Sequence, residues 1–166
     1  MAKAGRAVVA LGQDFTIREY DVPDPGPTDL LLKQEMCGIC GTDLHIWQKG
    51  VPVEMVLGHE NVGIIESLGK EVTTDFVGQP VKEGDRVIFA PGTPNGAYGF
   101  SANPDNPPHF LGGFADYISL SLADTCFIKT EAPPEIAVLT EPFTVGVHAV
   151  LRSQMQMGDT VVVQGS

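Results

Sequence analysis

Short runs of apolar and β-branched residues, each soon broken by glycine, proline or charge, fill most of the chain. They predict strands over residues 6–11, 15–20 and 30–36. Between the last two stands Val22-Pro23-Asp24-Pro25-Gly26-Pro27, a stiff turn, because each proline fixes its own φ and biases the residue before it. A further strand is predicted over 61–68. Lys82-Glu83-Gly84-Asp85 reads as a turn into a strand over 86–90, and two more strands follow at 114–120 and 125–129. Many short strands with turn signals between them predict a mainly β, barrel-like domain.

Two regions break the pattern. Residues 91–113 are rich in glycine, proline and asparagine and have no hydrophobic period, as expected of a functional or mobile loop. Near the end the period lengthens. Thr140 is expected to cap a helix starting at Glu141-Pro142, with Phe143, Val147, Val150 and Leu151 on one face. Gly158-Asp159 ends it, and 160–164 reads as a buried strand running into a glycine turn at Gly165. No internal repeat is evident.

Composition narrows the function. The chain has 166 residues, enough for one domain with a real core and short for two complete ones. Ten basic residues stand against 21 acidic ones, a net charge of -11 that argues against a nucleic-acid surface. No apolar run reaches the length of a membrane span, and the N-terminus is too broken by charge for a signal peptide. Three cysteines are an odd and low count, which points to a reducing, cytoplasmic setting rather than a disulfide scaffold.

The chemistry begins at Cys37-Gly38-Ile39-Cys40-Gly41-Thr42-Asp43-Leu44-His45. A closed zinc knuckle needs four ligands, commonly from two Cys-x-x-Cys pairs, and no second pair exists. Cys37 is read as a buried, inert cysteine. Cys40 lies 19 positions before His59, too far for one local turn to join them. A thiolate and an imidazole are nevertheless a pair that zinc prefers. His59-Glu60, between a glycine and an apolar run, is either a surface turn or a pair of ligand or acid–base groups at the end of a strand.

Gly58-His59-Glu60-x-x-Gly63-x-x-x-x-x-Gly69-x-x-Val72 resembles the signature of the zinc-containing medium-chain alcohol dehydrogenases. The segment 38–45 resembles their first zinc-ligand segment. Glu141-Pro142-Phe143-Thr144-Val145-Gly146-Val147-His148-Ala149 resembles the helix at their catalytic-domain border. Gly84-Asp85-Arg86-Val87 and Gly112-Gly113-Phe114-Ala115-Asp116-Tyr117 also fit, so the resemblance spans essentially the whole chain.

The resemblance implies a GroES-like catalytic domain over 1–153 holding one catalytic zinc, with Cys40 and His59 as its first two ligands. Alcohol dehydrogenases are known for a catalytic zinc on two Cys and one His. Here Glu141 stands where the second cysteine is expected. That substitution is similar to the polyol and threonine dehydrogenase branch, in which Glu60 and Glu141 both approach the metal. Glu60 would coordinate or exchange with water, and Asp43 would orient an imidazole. Thr42 and His45 match the family's proton-relay positions. Trp47 is expected in the core or at the rim, His109 exposed in its loop, and His148 packed. The family's structural zinc is not expected, since 91–113 has no cysteine.

Residues 154–166 would be a linker and the first strand of an incomplete Rossmann domain, with Gly165 the first glycine of the motif that cradles NAD or NADP. The implied parent is an alcohol or polyol dehydrogenase, a homo-oligomer at full length, and the 166-residue chain alone is expected to be inactive. The competing expectation is a stand-alone zinc-binding or interaction module without a redox role.

Overall fold

The structure is a computed structural model, described over residues 3–93, 96–100, 109–121 and 125–164. Its strands are β1 (Ala4–Gly12), β2 (Asp14–Asp21), β3 (Asp29–Gly38), β4 (Val51–Val56), β5 (Glu60–Leu68), β6 (Arg86–Phe89), β7 (Gly92–Thr93), β8 (Gly96–Ala97), β9 (Tyr117–Ser121) and β10 (Phe127–Lys129). The helices are α1 (Gly41–Lys49), α2 (Pro134–Ala137) and α3 (Thr140–Ser153). The chain is mainly β, as its short apolar runs predict.

A five-stranded antiparallel sheet in the order β10-β6-β5-β3-β9 carries the main core. Leu30 and Leu32 of β3 pack with Ile65, Val87, Ile118 and Phe127. Leu31 points the other way, against Phe110 and Tyr117. Both faces of β3 are therefore covered here, which is why three leucines follow one another instead of alternating with polar residues. A second sheet, β2-β1-β4, buries Ala7 and Val9 of β1 with Val56 of β4.

The edge strand β10 is closed off by a turn. Phe76 N–H donates to the Phe127 carbonyl at 2.9 Å, and the Asp75 carboxylate accepts the backbone N–H of Lys129 at 3.0 Å. Asp75 also accepts Val77 N–H at 3.0 Å and Gln79 N–H at 2.8 Å. Burial works against its charge, but these backbone donors prevail and hold the carboxyl below its usual range. A carboxyl with a depressed folded-state pKa contributes stability that is fully present above the unfolded value, about 3.9, and is lost as pH falls through the folded one. Asp75→Asn is therefore expected to lose about 1.5–3 kcal/mol at pH 7, the worth of hydrogen bonds to a charged group. Urea unfolding across pH checks this: the gap to the parent should close as the pH falls below the unfolded pKa.

Two elements escape the sequence patterning. β4 contains Pro52, which weakens a strand reading; it survives because β4 lies at the edge of its sheet. α1 has a narrow apolar contact, with Ile46 packed on Ala10, Val51, Met55 and Leu57, and of its residues only Asp43 is fully buried. Tertiary hydrogen bonds help to hold it, including Trp47 Nε1 donating to the Gln13 carbonyl at 2.9 Å. Trp47 is half-buried, a rim residue. The 91–113 segment, expected to be a long functional or mobile loop, contains the short β7–β8 pair among its described residues.

The C-terminal expectations need correction. Thr140 is the first residue of α3 rather than its cap, because Leu139 before it is already in helical conformation. Phe143, Val147, Val150 and Leu151 are exposed, and α3 buries none of its residues. Residues 160–164 form no strand, and Val162 and Val163 are 88% and 84% exposed. A strand requires a neighbour for its backbone groups, and none of the described strands lies beside this one. Gly165 lies outside the described residues.

Candidate metal centre

The ladder between β3 and β5 brings the two halves of the site together. Gly38 pairs with Glu60 and Cys37 with Asn61. The chain leaves β3 at Gly38 and reaches Cys40 two residues later, as it enters α1. It approaches β5 through Gly58 and His59. Strand pairing thus spans the 19 positions between Cys40 and His59.

Gly38 has no side chain where the ligands meet. A Cβ there would lie 1.9 Å from Glu60 Oε2, so the Glu60 carboxylate folds into space that any other residue would fill. The result is a cluster of Cys40, His59 and Glu60 whose ligand atoms all lie within 4.8 Å of one another. Cys40 and Glu60 are half-buried and His59 is buried.

Asp43 joins both segments. Its buried carboxylate accepts Cys40 N–H at 2.8 Å and Gly58 N–H at 3.3 Å. Its Oδ1 lies 3.6 Å from His59 Nδ1, which has no hydrogen-bond partner. That separation is too long for a hydrogen bond. It nevertheless turns one ring nitrogen toward a carboxylate and leaves Nε2 for a metal. The imidazole also meets the Phe100 ring edge-on, with centroids 4.5 Å apart.

This donor set fits zinc. One thiol, one imidazole and one carboxylate are each accepted zinc ligands, and three protein ligands leave a position open. The orphaned Nδ1 beside Asp43 is the arrangement a ligating histidine takes up when its other nitrogen binds a metal.

The remaining predicted residues fall around this cluster. Thr42 is exposed, with Oγ1 3.7 Å from Cys40 Sγ. His45 is exposed one helical turn further on. Glu141 does not join the three-residue cluster. Its carboxyl is raised above the usual range, by burial first; the neighbouring His59 opposes this and the Glu60 charge adds to it. It lines a cavity of about 200 Å³ between the first turn of α3 and the sheet, with Asn61, Ile88, Pro91, Cys126 and Thr144.

Cys37 is half-buried, and burial pushes its thiol up to about 12, with the Asp43 charge contributing next. That agrees with its reading as inert. His109 is not exposed: it is half-buried, with its ring 4.1 Å from that of Tyr20, and burial lowers its pKa. His148 is not packed, because its face of α3 meets solvent. Gln34, Asn61 and Phe100 were not singled out from the sequence. The one available signal was Asn61, a polar residue directly after His59-Glu60 in an otherwise apolar run.

Comparisons with known proteins give the chain's family and relatives. Human sorbitol dehydrogenase is 32% identical over 174 residues, covering 92% of this chain and 46% of that protein. L-threonine 3-dehydrogenase of Ruegeria pomeroyi is 33% identical over 154 residues, covering 87% of this chain and 45% of that protein. A solved zinc-binding dehydrogenase of Sinorhizobium meliloti bound to NADP superposes with a TM-score of 0.74 at 27% identity, over 95% of this chain and 48% of that one. The chain thus spans about half the length of the relatives it matches. The alcohol dehydrogenase GroES-like domain matches residues 26–131, which contain Cys40, His59, Glu60 and the Gly58–Val72 signature. With the β fold and the ligand cluster in agreement, the chain belongs to the alcohol dehydrogenase GroES-like domain family.

Proposed function

We propose that the chain is the zinc-holding catalytic portion of an oxidoreductase that moves hydride between an alcohol or polyol and NAD or NADP. The observation that carries this reading is the convergence of Cys40, His59 and Glu60 within 4.8 Å. Sorbitol and threonine dehydrogenases among the relatives support the substrate class, and the NADP-bound relative supports the cofactor.

Cys40, His59 and Glu60 would hold the ion, and Glu141, whose carboxyl feels the His59 and Glu60 groups, would be the further carboxylate that could exchange with one of them. A zinc ion there supplies Lewis-acid polarisation of an alcohol oxygen, making its proton easier to lose. The chain's own residues then handle that proton. Thr42 presents a hydroxyl beside the Cys40 sulfur, where it can accept from a substrate hydroxyl. His45, exposed and one turn away, can pass the proton on to water. Asp43 keeps His59 oriented and does not touch substrate.

Elemental analysis of protein purified without chelator tests the reading. It should find about one zinc per chain, as a single site requires. Two equivalents would contradict a lone catalytic site, and none after reconstitution would overturn the proposal. Thr42→Ala and His45→Ala separate relay from structure. In an enzyme carrying this chain together with a dinucleotide-binding half, each should lower turnover by about 10²–10⁴-fold, the usual worth of positioned acid–base groups. Zinc content should stay unchanged; equal loss of metal and turnover would make these residues structural.

A further inference from the structure

Behind the ligand cluster lies a pair of linked amides, half-buried Gln34 and buried Asn61. Gln34 Nε2 donates to the Met36 carbonyl at 2.8 Å and to Asn61 Oδ1 at 2.7 Å. Asn61 Nδ2 donates to the Gly58 carbonyl at 3.4 Å. Asn61 is 4% exposed. The orientation of each amide is set by the one before it. Met36 offers only a carbonyl, so Gln34 must face it with Nε2. Asn61 must then present oxygen to Gln34 and nitrogen to Gly58.

This order comes at a cost to the chain. Gln34 Oε1 is left buried with no partner. An unmet buried acceptor is destabilising, and a fully apolar pair of the same shape would avoid it. Gly113 must also remain glycine, since a Cβ there would lie 1.8 Å from Asn61 Oδ1. Simple packing of β3 on β5 requires neither feature.

The end of the relay explains what it achieves. Gly58 is the residue before His59, in left-handed backbone at φ +94. Its N–H is held by Asp43 and its carbonyl by Gly113 N–H at 2.8 Å and by Asn61. Gripping the peptide groups on both sides of the Gly58 Cα fixes the direction in which the chain enters His59 and Glu60. We propose that Gln34 and Asn61 are positioning residues for the metal site: they lock the Gly58 carbonyl and thereby aim His59 and Glu60 at a common point. This inference rests on the zinc reading above.

The test uses the whole 166-residue chain with zinc alone, in competition with a chromophoric chelator, and with cobalt substituted for zinc. Asn61→Ala removes the relay. Asn61→Asp keeps its size and its acceptor for Gln34 but loses the donor to Gly58. Gln34→Met removes the upstream link at similar volume. Each should weaken zinc binding by about 10–100-fold, the usual effect of losing an outer partner of a ligand, and shift the cobalt ligand-field bands. Asp75→Asn, in the turn that closes off β10, serves as the control: it should lower stability and move neither readout. If Asn61→Ala does not fold, Asn61→Asp and Gln34→Met decide the matter. Unchanged affinity and unchanged cobalt bands in the folded variants would overturn the inference while leaving the metal site standing. A parent chain that binds no zinc would overturn the metal reading and this inference with it.

Discussion

Cys40→Ser is expected to empty the metal site, while Cys37→Ser leaves it filled. The two sulfurs are three positions apart in a Cys-x-x-Cys pattern, yet their surroundings differ. Cys40 stands at the start of α1, in reach of His59 and Glu60, where the helix N-terminus favours a negatively charged ligand. Cys37 faces inward. Its sulfur donates to the Gly38 carbonyl at 3.3 Å and lies 2.4 Å from where a Gly113 Cβ would be. Burial keeps its thiol protonated far above neutral pH, and only a thiolate is a ligand. Zinc in small structural sites contributes about 10–16 kcal/mol over four ligands. One ligand then carries about 3–4 kcal/mol, or about 10²–10³-fold in affinity. Chelator competition on both variants measures this. Equal loss in the two would mean that the pair acts together and that the inward-facing sulfur has been misassigned.

Gly58→Ala is expected to be the most damaging small substitution near the site. Three costs fall on one methyl group. The backbone there has φ +94, which L side chains rarely adopt. The new Cβ would lie 2.7 Å from Cys37 Sγ and 2.7 Å from Phe114 Cδ1. The peptide cannot swing away without releasing Asp43 from its N–H and Gly113 from its carbonyl. Backbone strain of this kind costs about 1–3 kcal/mol and overpacking about 1–3 more. For a chain of this size the sum corresponds to a thermal midpoint lowered by about 5–20 °C. Zinc affinity should fall with it, because the turn leads directly into His59. Adding Cys37→Ala relieves the sulfur contact but neither the Phe114 contact nor the backbone strain, so the double variant should recover part of the stability. Full recovery would show that the sulfur contact alone governs the site; no recovery would show that the backbone and the Phe114 ring do.

The sequence by itself determined the class of fold and pointed to the candidate ligands Cys40, His59 and Glu60. Alternating short apolar runs can satisfy their backbone only as strands, so β3, β5 and β6 were legible to within a few residues. Cys40, His59 and Glu60 were legible because few side-chain types bind zinc and because the glycines around them match a family pattern. What depends on distant partners was not legible. α1 has only a weak apolar pattern and forms because Ile46 packs on the core and Asp43 and Trp47 find partners elsewhere in the chain. Residues 160–164 have a strand's composition, but no described strand lies beside them, and composition cannot say which partner a strand will find. His109 and His148 exchanged their expected surroundings, since a lone histidine carries no signal of what will cover it. The amide relay through Gln34 and Asn61 was likewise decided only in three dimensions. It depends on the β3–β5 register, on the irregularity between Gln34 and Met36, and on Gly113 arriving from a remote loop. Local pattern specifies which groups are available; only the tertiary pairing decides which of them face one another at hydrogen-bonding distance.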